Sequence, residues 1–176
     1  MSGLDRPFSV DLRGLGDGRH ELTLVESGER LDLPEELSTS SDISLELTLS
    51  VTGSLITAGG KVAAHMTLDC ARCLEPFTRE VETNIDLVIR RGRDGLSLED
   101  EDEEETSASI VDEWIAFDAP VREALILSIP MKPLCSDQCQ GLCPVCGANL
   151  NESTCECARE PTDARWDGLR TLLDEM

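Results

Sequence analysis

Eight cysteines fall into four close pairs: Cys70 with Cys73, Cys135 with Cys139, Cys143 with Cys146, and Cys155 with Cys157. Such spacing suits a zinc-type ion, because one tight turn offers two thiolates and a tetrahedral shell needs four. The sharpest local signal is Cys143-Pro144-Val145-Cys146-Gly147. The glycine there tolerates the backbone conformation that turns amide groups toward the sulfurs. Cys155 and Cys157 return after an eight-residue loop to complete that set. Cys70, Cys73, Cys135 and Cys139 then form a second site that pins the cysteine-rich tail to the preceding sheet. Three groupings of the pairs are open. This one is favoured because only three residues separate Cys139 from Cys143, which leaves little room to turn those neighbouring pairs onto one ion. The expected cofactor is Zn2+, two ions with four cysteines each.

Other thiol chemistry fits less well. A disulfide framework suits a secreted chain, whereas Met1 to Arg30 mixes charges with isolated apolar residues and reads as no export signal. A redox role for Cys70 and Cys73 lacks the strand-then-helix context of thioredoxin-like sites. An iron–sulfur cluster also takes four thiolates and stays open as an alternative. Four cysteine ligands close the shell to water, so the expected role is structural, not catalytic. His20 and His65, the only histidines, read as ordinary surface or sheet residues and give thin material for a triad. Gly14 to Gly18 is glycine-rich, but no phosphate-loop lysine follows. No catalytic residue is expected, and the chain reads as a non-enzyme.

The elements that position the cysteines are mainly strands. Residues 43–51 alternate apolar and polar throughout, which places Ile43, Leu45, Leu47, Leu49 and Val51 on one face. Segments 20–25, 61–69 and 77–90 read the same way, and Gly59-Gly60 reads as a turn between two runs. The predicted fold class is α+β, mainly antiparallel β in a barrel- or sandwich-like sheet, with one or two helices and a cysteine-rich zinc-binding C-terminal module. Residues 1–134 are expected to form the β-rich domain, with an acidic loop at 97–109 and a helix at 118–129. The helix has Asp118 as N-cap, Pro120 in its first turn, and Val121, Ala124, Leu125 and Ser128 on the sheet-facing side. Residues 135–176 are expected to form the zinc module and a last helix from Asp163, packing Trp166, Leu169 and Leu173. Aromatics are 3% of residues and tyrosine is absent, so an aliphatic core is expected, and no internal repeat is evident.

The formal net charge is -21. Two four-thiolate zinc sites would deepen it to about -25, since the ligands bind deprotonated. Broad attraction to a phosphate backbone is disfavoured, and a basic protein is the more natural partner. The densest acidity is Glu99 to Glu105, seven acids in a row, which reads as a solvated loop or as a docking strip for a basic partner. The one basic cluster is Arg90, Arg91 and Arg93. The longest apolar stretch, Ala124 to Met131, is too short to span a bilayer, so a cytoplasmic protein without membrane contact is expected.

The run Cys70-Ala71-Arg72-Cys73-Leu74-Glu75-Pro76-Phe77, then Pro130-Met131-Lys132-Pro133-Leu134-Cys135, then Gly141-Leu142-Cys143-Pro144-Val145-Cys146-Gly147-Ala148-Asn149-Leu150-Asn151, then Cys155-Glu156-Cys157, resembles the YceD family. Its members are called large ribosomal RNA subunit accumulation proteins. The order of elements is also similar over most of the chain. The resemblance implies a role in accumulating large-subunit (23S) ribosomal RNA, hence in ribosome assembly, and carries over no catalytic residues. The partner it points to is a basic ribosomal protein or a large-subunit assembly intermediate. Direct RNA contact through Arg72, Arg79, Arg90, Arg91 and Arg93 is the alternative, beside a generic acidic interaction module unrelated to ribosomes.

Overall fold

Strict alternation over residues 43–51 has the consequence expected of a half-buried strand. In the computed structural model, Ile43, Leu45, Leu47, Leu49 and Val51 are all buried and the residues between them face outward. The structure describes residues 6–34, 37–39, 41–92, 95–98, 109–111 and 113–157. Its strands are β1 (Ser9–Asp11), β2 (Gly18–Ser27), β3 (Ser38–Thr39), β4 (Asp42–Thr52), β5 (Leu55–Asp69), β6 (Pro76–Gly92), β7 (Gly95–Leu98), β8 (Ser109–Val111) and β9 (Trp114–Ala116). One helix, α1 (Asp118–Ser128), follows among the described residues.

The large sheet runs β2-β4-β5-β6-β7, with β3 paired beside the far end of β5, and every pairing is antiparallel. A small sheet runs β1-β9-β8. The strands do not close into a barrel. Instead the two sheets and α1 share one apolar core. Ile43, Val62, Met66 and Ile89 of the large sheet join Val10 and Ile115 of the small one, and Val121 and Leu125 of α1. That core is not wholly aliphatic, because Phe8 and Phe117 are among its largest fully buried side chains.

Two local expectations are corrected. Gly59-Gly60 is not a turn but lies within β5, opposite Asp86 and Ile85 of β6. A Cβ on Gly60 would sit 2.7 Å from Leu45 Cδ1 and 3.0 Å from Ile85 Cγ1, so the glycine makes room for side chains that cross it. The real turn is Gly53-Ser54, flanked by the pair Thr52 and Leu55, with Gly53 at φ 59°. Asp118 is not the N-cap of α1. Phe117 holds that position without a side-chain cap bond, and Asp118 sits in the first turn beside Arg6 at 3.5 Å. Val121 and Leu125 face the core as expected, with Ala124 packed against it.

Residues 99–108 of the expected acidic loop, including Glu99 to Glu105, lie outside the described residues, as do Arg93 and the expected helix from Asp163 with Trp166, Leu169 and Leu173. Among the described residues no helix is long and apolar enough to cross a membrane.

Candidate metal centre

The longest hairpin of the large sheet carries the first cysteine pair. Asp69 of β5 pairs with Pro76 of β6, so Cys70 to Glu75 form the connecting loop. Within it the Leu74 N–H donates to the Cys70 carbonyl at 2.9 Å and the Cys70 N–H donates to the Glu75 carbonyl at 3.0 Å. The second knuckle has the same plan. The Gly147 N–H donates to the Cys143 carbonyl at 2.9 Å and the Cys143 N–H to the Ala148 carbonyl at 2.8 Å. Leu74 and Gly147 occupy equivalent places with φ of 62° and 74°. The two knuckles are therefore a structural repeat, which the sequence hides because one copy puts leucine where the other has glycine.

The eight cysteines are all free and gather into two groups, Cys70, Cys73, Cys135 and Cys139, and Cys143, Cys146, Cys155 and Cys157. Within each group every sulfur lies within 4.8 Å of the others, in the grouping that chain spacing favours. Cys70 Sγ is 3.7 Å from Cys139 Sγ and Cys73 Sγ is 3.7 Å from Cys135 Sγ. That is far beyond a disulfide bond of about 2.05 Å. It matches the edge, about 3.8 Å, of a tetrahedron with metal–sulfur bonds of about 2.3 Å. Four soft donors with this separation fit a thiophilic dication. The first group is sheltered: Cys70, Cys73 and Cys139 are buried with Phe77, Leu134 and Leu142 packed on them. His20 and His65 belong to neither group; His20 Nε2 instead sits 2.9 Å from the Gly16 carbonyl oxygen.

The electrostatics divide each group. Cys70 is pulled down to about 6, chiefly by the backbone N–H of Cys135 and, against desolvation, by those of Cys73 and Arg72. Cys143 falls to about 6 through the backbone N–H groups of Cys146 and Val145. For Cys139, desolvation pushes up, but the Asn151 amide and the Gly141 N–H outweigh it and the thiol is lowered. Desolvation and the Cys70 and Cys139 thiols push Cys135 up to about 12. Cys157 is pushed up to about 12, first by its hydrogen bond with Cys146. Four crowded sulfurs cannot all ionise without a cation among them, so each group has some thiolates ready and others that need a cation to lose their protons.

Several residues hold the two groups together, a role that none of them carried as an expectation. The Leu142 N–H donates to the Arg72 carbonyl at 3.1 Å, and the Arg72 guanidinium donates to the Cys139 carbonyl at 2.9 Å. Gly141, at φ 73°, lies where a Cβ would come within 3.0 Å of the Arg72 carbonyl oxygen. Asn151 accepts from the Gln140 N–H at 2.7 Å and donates to Cys139 Sγ at 3.3 Å. Gly141, Asn149 and Asn151 were visible only as members of the quoted motif.

Arg72, Arg79 and Arg90, three of the arginines proposed for RNA contact, do not make one patch. Arg72 is committed to the Cys139 loop. Arg79 and Arg90 stand at odd and even positions of β6, hence on opposite faces, roughly 36 Å apart along the strand.

Comparison with known proteins places these residues in context. The chain matches the family model described as large ribosomal RNA subunit accumulation protein YceD over residues 58–173, a stretch that includes all eight cysteines. It is 31% identical over 153 residues to an uncharacterized protein of Mycobacterium tuberculosis, covering 87% of this chain and 67% of that one. It is 30% identical over 141 residues to the large ribosomal RNA subunit accumulation protein YCED homolog 1, chloroplastic, of Arabidopsis thaliana, covering 66% of this chain and 44% of that one. The Zea mays protein of the same name is 28% identical over 124 residues, covering 56% of this chain and 42% of its own length. The match thus spans less than half of each plant relative. No solved structure matches the chain.

Proposed function

The chain belongs to the YceD family of large ribosomal RNA subunit accumulation proteins, and from that premise we propose that it is a non-catalytic assembly factor that supports 23S ribosomal RNA by holding a basic ribosomal protein. Two structural Zn2+ ions, one on Cys70, Cys73, Cys135 and Cys139 and one on Cys143, Cys146, Cys155 and Cys157, brace the tail in this reading. Residues 1–134 act as the body and 135–176 as the appended module, in the cytoplasm.

The observation that supports a basic partner is the outer face of the large sheet. Residues directly paired across strands share a face. The rows Glu21-Thr48-Gly59-Asp86, Thr23-Glu46-Lys61-Asn84 and Val25-Ser44-Ala63-Glu82 therefore lie side by side, with Glu80 beyond them. Glu21, Glu46, Glu80, Glu82 and Asp86 are all exposed there. Lys61 is held above its ordinary value by its hydrogen bond to Glu82 at 2.7 Å and by that carboxylate's charge, with Glu46 and Glu80 adding. Small residues in the middle of the face leave a shallow depression lined by Gly59, Thr48 and Asp86. An acidic, shallow surface of this kind attracts an arginine- and lysine-rich chain and releases it when a stronger polyanion competes.

The test is capture of large-subunit ribosomal proteins by the full-length zinc-loaded chain across a salt series. Binding that falls as the Debye length shrinks below about 8 Å supports the reading. Salt-insensitive binding, or no binding at low salt, contradicts it.

A further inference from the structure

β2 forms one border of the large sheet. Gly18 to Ser27 pair in unbroken register with Val51 to Asp42 of β4, with no bulge, and among the described residues no strand lies on the other side of β2. Its 10 residues include neither proline nor lysine, two of the guards that keep a sheet edge from adding a further strand. Every second residue of an antiparallel edge strand turns its N–H and C=O away from the sheet, so β2 offers a row of outward donors and acceptors.

The two faces of β2 define what an added strand would carry. On the core side Leu22 and Leu24 stand opposite Leu47 and Leu45. The β4 leucines are 1% and 0% exposed, whereas Leu22 and Leu24 pack on the same core only half-buried, because the sheet ends beside them. On the outer side the acidic depression reaches this border at Arg19, Glu21, Leu22 and Thr23. Arg19 and Arg30 answer Glu21 and Glu26 with ion pairs at 3.0 and 2.6 Å, so those two carboxylates are satisfied. Glu46 and Asp86 have no ion pair among the described residues, since Lys61, the cross-strand neighbour of Glu46, bonds to Glu82 instead. Only the short side chain of Thr23 stands between the border and Glu46. A cation on an added strand therefore faces that carboxylate across two strand spacings, about 10 Å, which two long side chains bridge.

We propose that β2 receives an extended segment of the basic partner as an added strand, in which apolar residues alternate with lysine or arginine. The apolar set continues the row of Leu22 and Leu24 and buries it, while the basic set lies on the outer face toward Glu46 and Asp86. A second copy of this chain is the poorer occupant, because each copy carries a net charge of -21. The inference rests on the basic-partner reading and adds to it the place of attachment and the sequence pattern of the segment held.

The test uses the full-length zinc-loaded chain and two synthetic peptides of about the length of β2. One alternates valine with lysine, and the other has the same composition with its valines and lysines in two blocks. The alternating peptide should bind at least tenfold tighter and slow hydrogen exchange at every second amide of β2. Leu24→Lys, which puts a charge on the apolar row, should weaken it tenfold or more, and Thr23→Lys, at an exposed position, should do the same if Leu24→Lys folds poorly. Equal binding of both peptides with β2 amides unchanged would overturn the edge and leave the partner on the sheet face alone. A chain that is already a dimer with protected β2 amides would overturn it in favour of a second copy. Neither peptide bound, while large-subunit ribosomal proteins are still captured, would overturn the edge and spare the basic-partner reading.

Discussion

Asn151 lies in the loop that carries the second cysteine group, yet its side-chain amide donates to Cys139 Sγ of the first at 3.3 Å. The same side chain accepts the Gln140 N–H at 2.7 Å and donates to Asn149 Oδ1 at 2.8 Å. The Leu150 N–H adds a bond to the Gly141 carbonyl at 2.9 Å, and Leu142 pairs with Asn149 across a short bridge. The two groups are thus built around one shared segment, 140–151, and disturbing either disturbs the partner residues of the other.

Asn151→Ala removes the donor that helps hold Cys139 as a thiolate. Residues that hydrogen-bond to metal ligands typically change affinity about 10–100-fold when replaced. Competition with a chromogenic chelator should reveal one weakened site of two, with Asn151→Asp worse because it puts a carboxylate against the sulfur. Two unchanged release phases would refute the role given to Asn151.

Metal loading should release fewer than four protons per ion at neutral pH. Cys70 and Cys143, lowered to about 6, are already thiolates there, whereas Cys135 and Cys157, raised to about 12, must give up protons. The sign follows: groups whose folded values are depressed contribute above their ordinary range near 9, and that contribution is lost as pH falls through about 6. Calorimetry in buffers of different ionisation enthalpy counts the protons, and four released per ion would contradict the assignment.

Gly141 and Leu74 predict opposite outcomes. Gly141→Ala forces a side chain into the left-handed region and within 3.0 Å of the Arg72 carbonyl, so it should cost about 1–2 kcal/mol or more. Leu74 already pays for a φ of 62° and is 67% exposed, so Leu74→Gly should stabilise by up to about 1 kcal/mol. Thermal unfolding of the zinc-loaded variants measures both. The knuckle geometry is mistaken if the two shifts share a sign.

Gly60→Val tests the glycine in the middle of β5. Its side chain would press on Leu45 and Ile85, and overpacking of this kind costs about 1–3 kcal/mol. Denaturant unfolding that gave no loss would place Gly60 outside the core.

What the sequence disclosed followed from regular physical signals. Period-two patterning marked β4 down to its five buried residues, and pair spacing separated the cysteines into the two groups that the fold assembles. Glycine was the ambiguous letter. Gly59-Gly60 reads as a turn because glycine favours turns, but at Gly60 it answers a crowding between Leu45 and Ile85 that only tertiary structure creates. Asp118 reads as a cap because aspartate caps helices, yet its side chain is turned to Arg6. The repeat between the knuckles was hidden at Leu74, and the role of Asn151 depends on a contact with Cys139 that local sequence cannot display.

The most direct measurement is a sucrose-gradient ribosome profile, with 23S ribosomal RNA levels, in cells depleted of this protein and complemented with either the parent chain or Cys146→Ser. The account predicts a selective deficit of large subunits that the parent chain repairs and Cys146→Ser does not. A normal profile on depletion would contradict the assembly role.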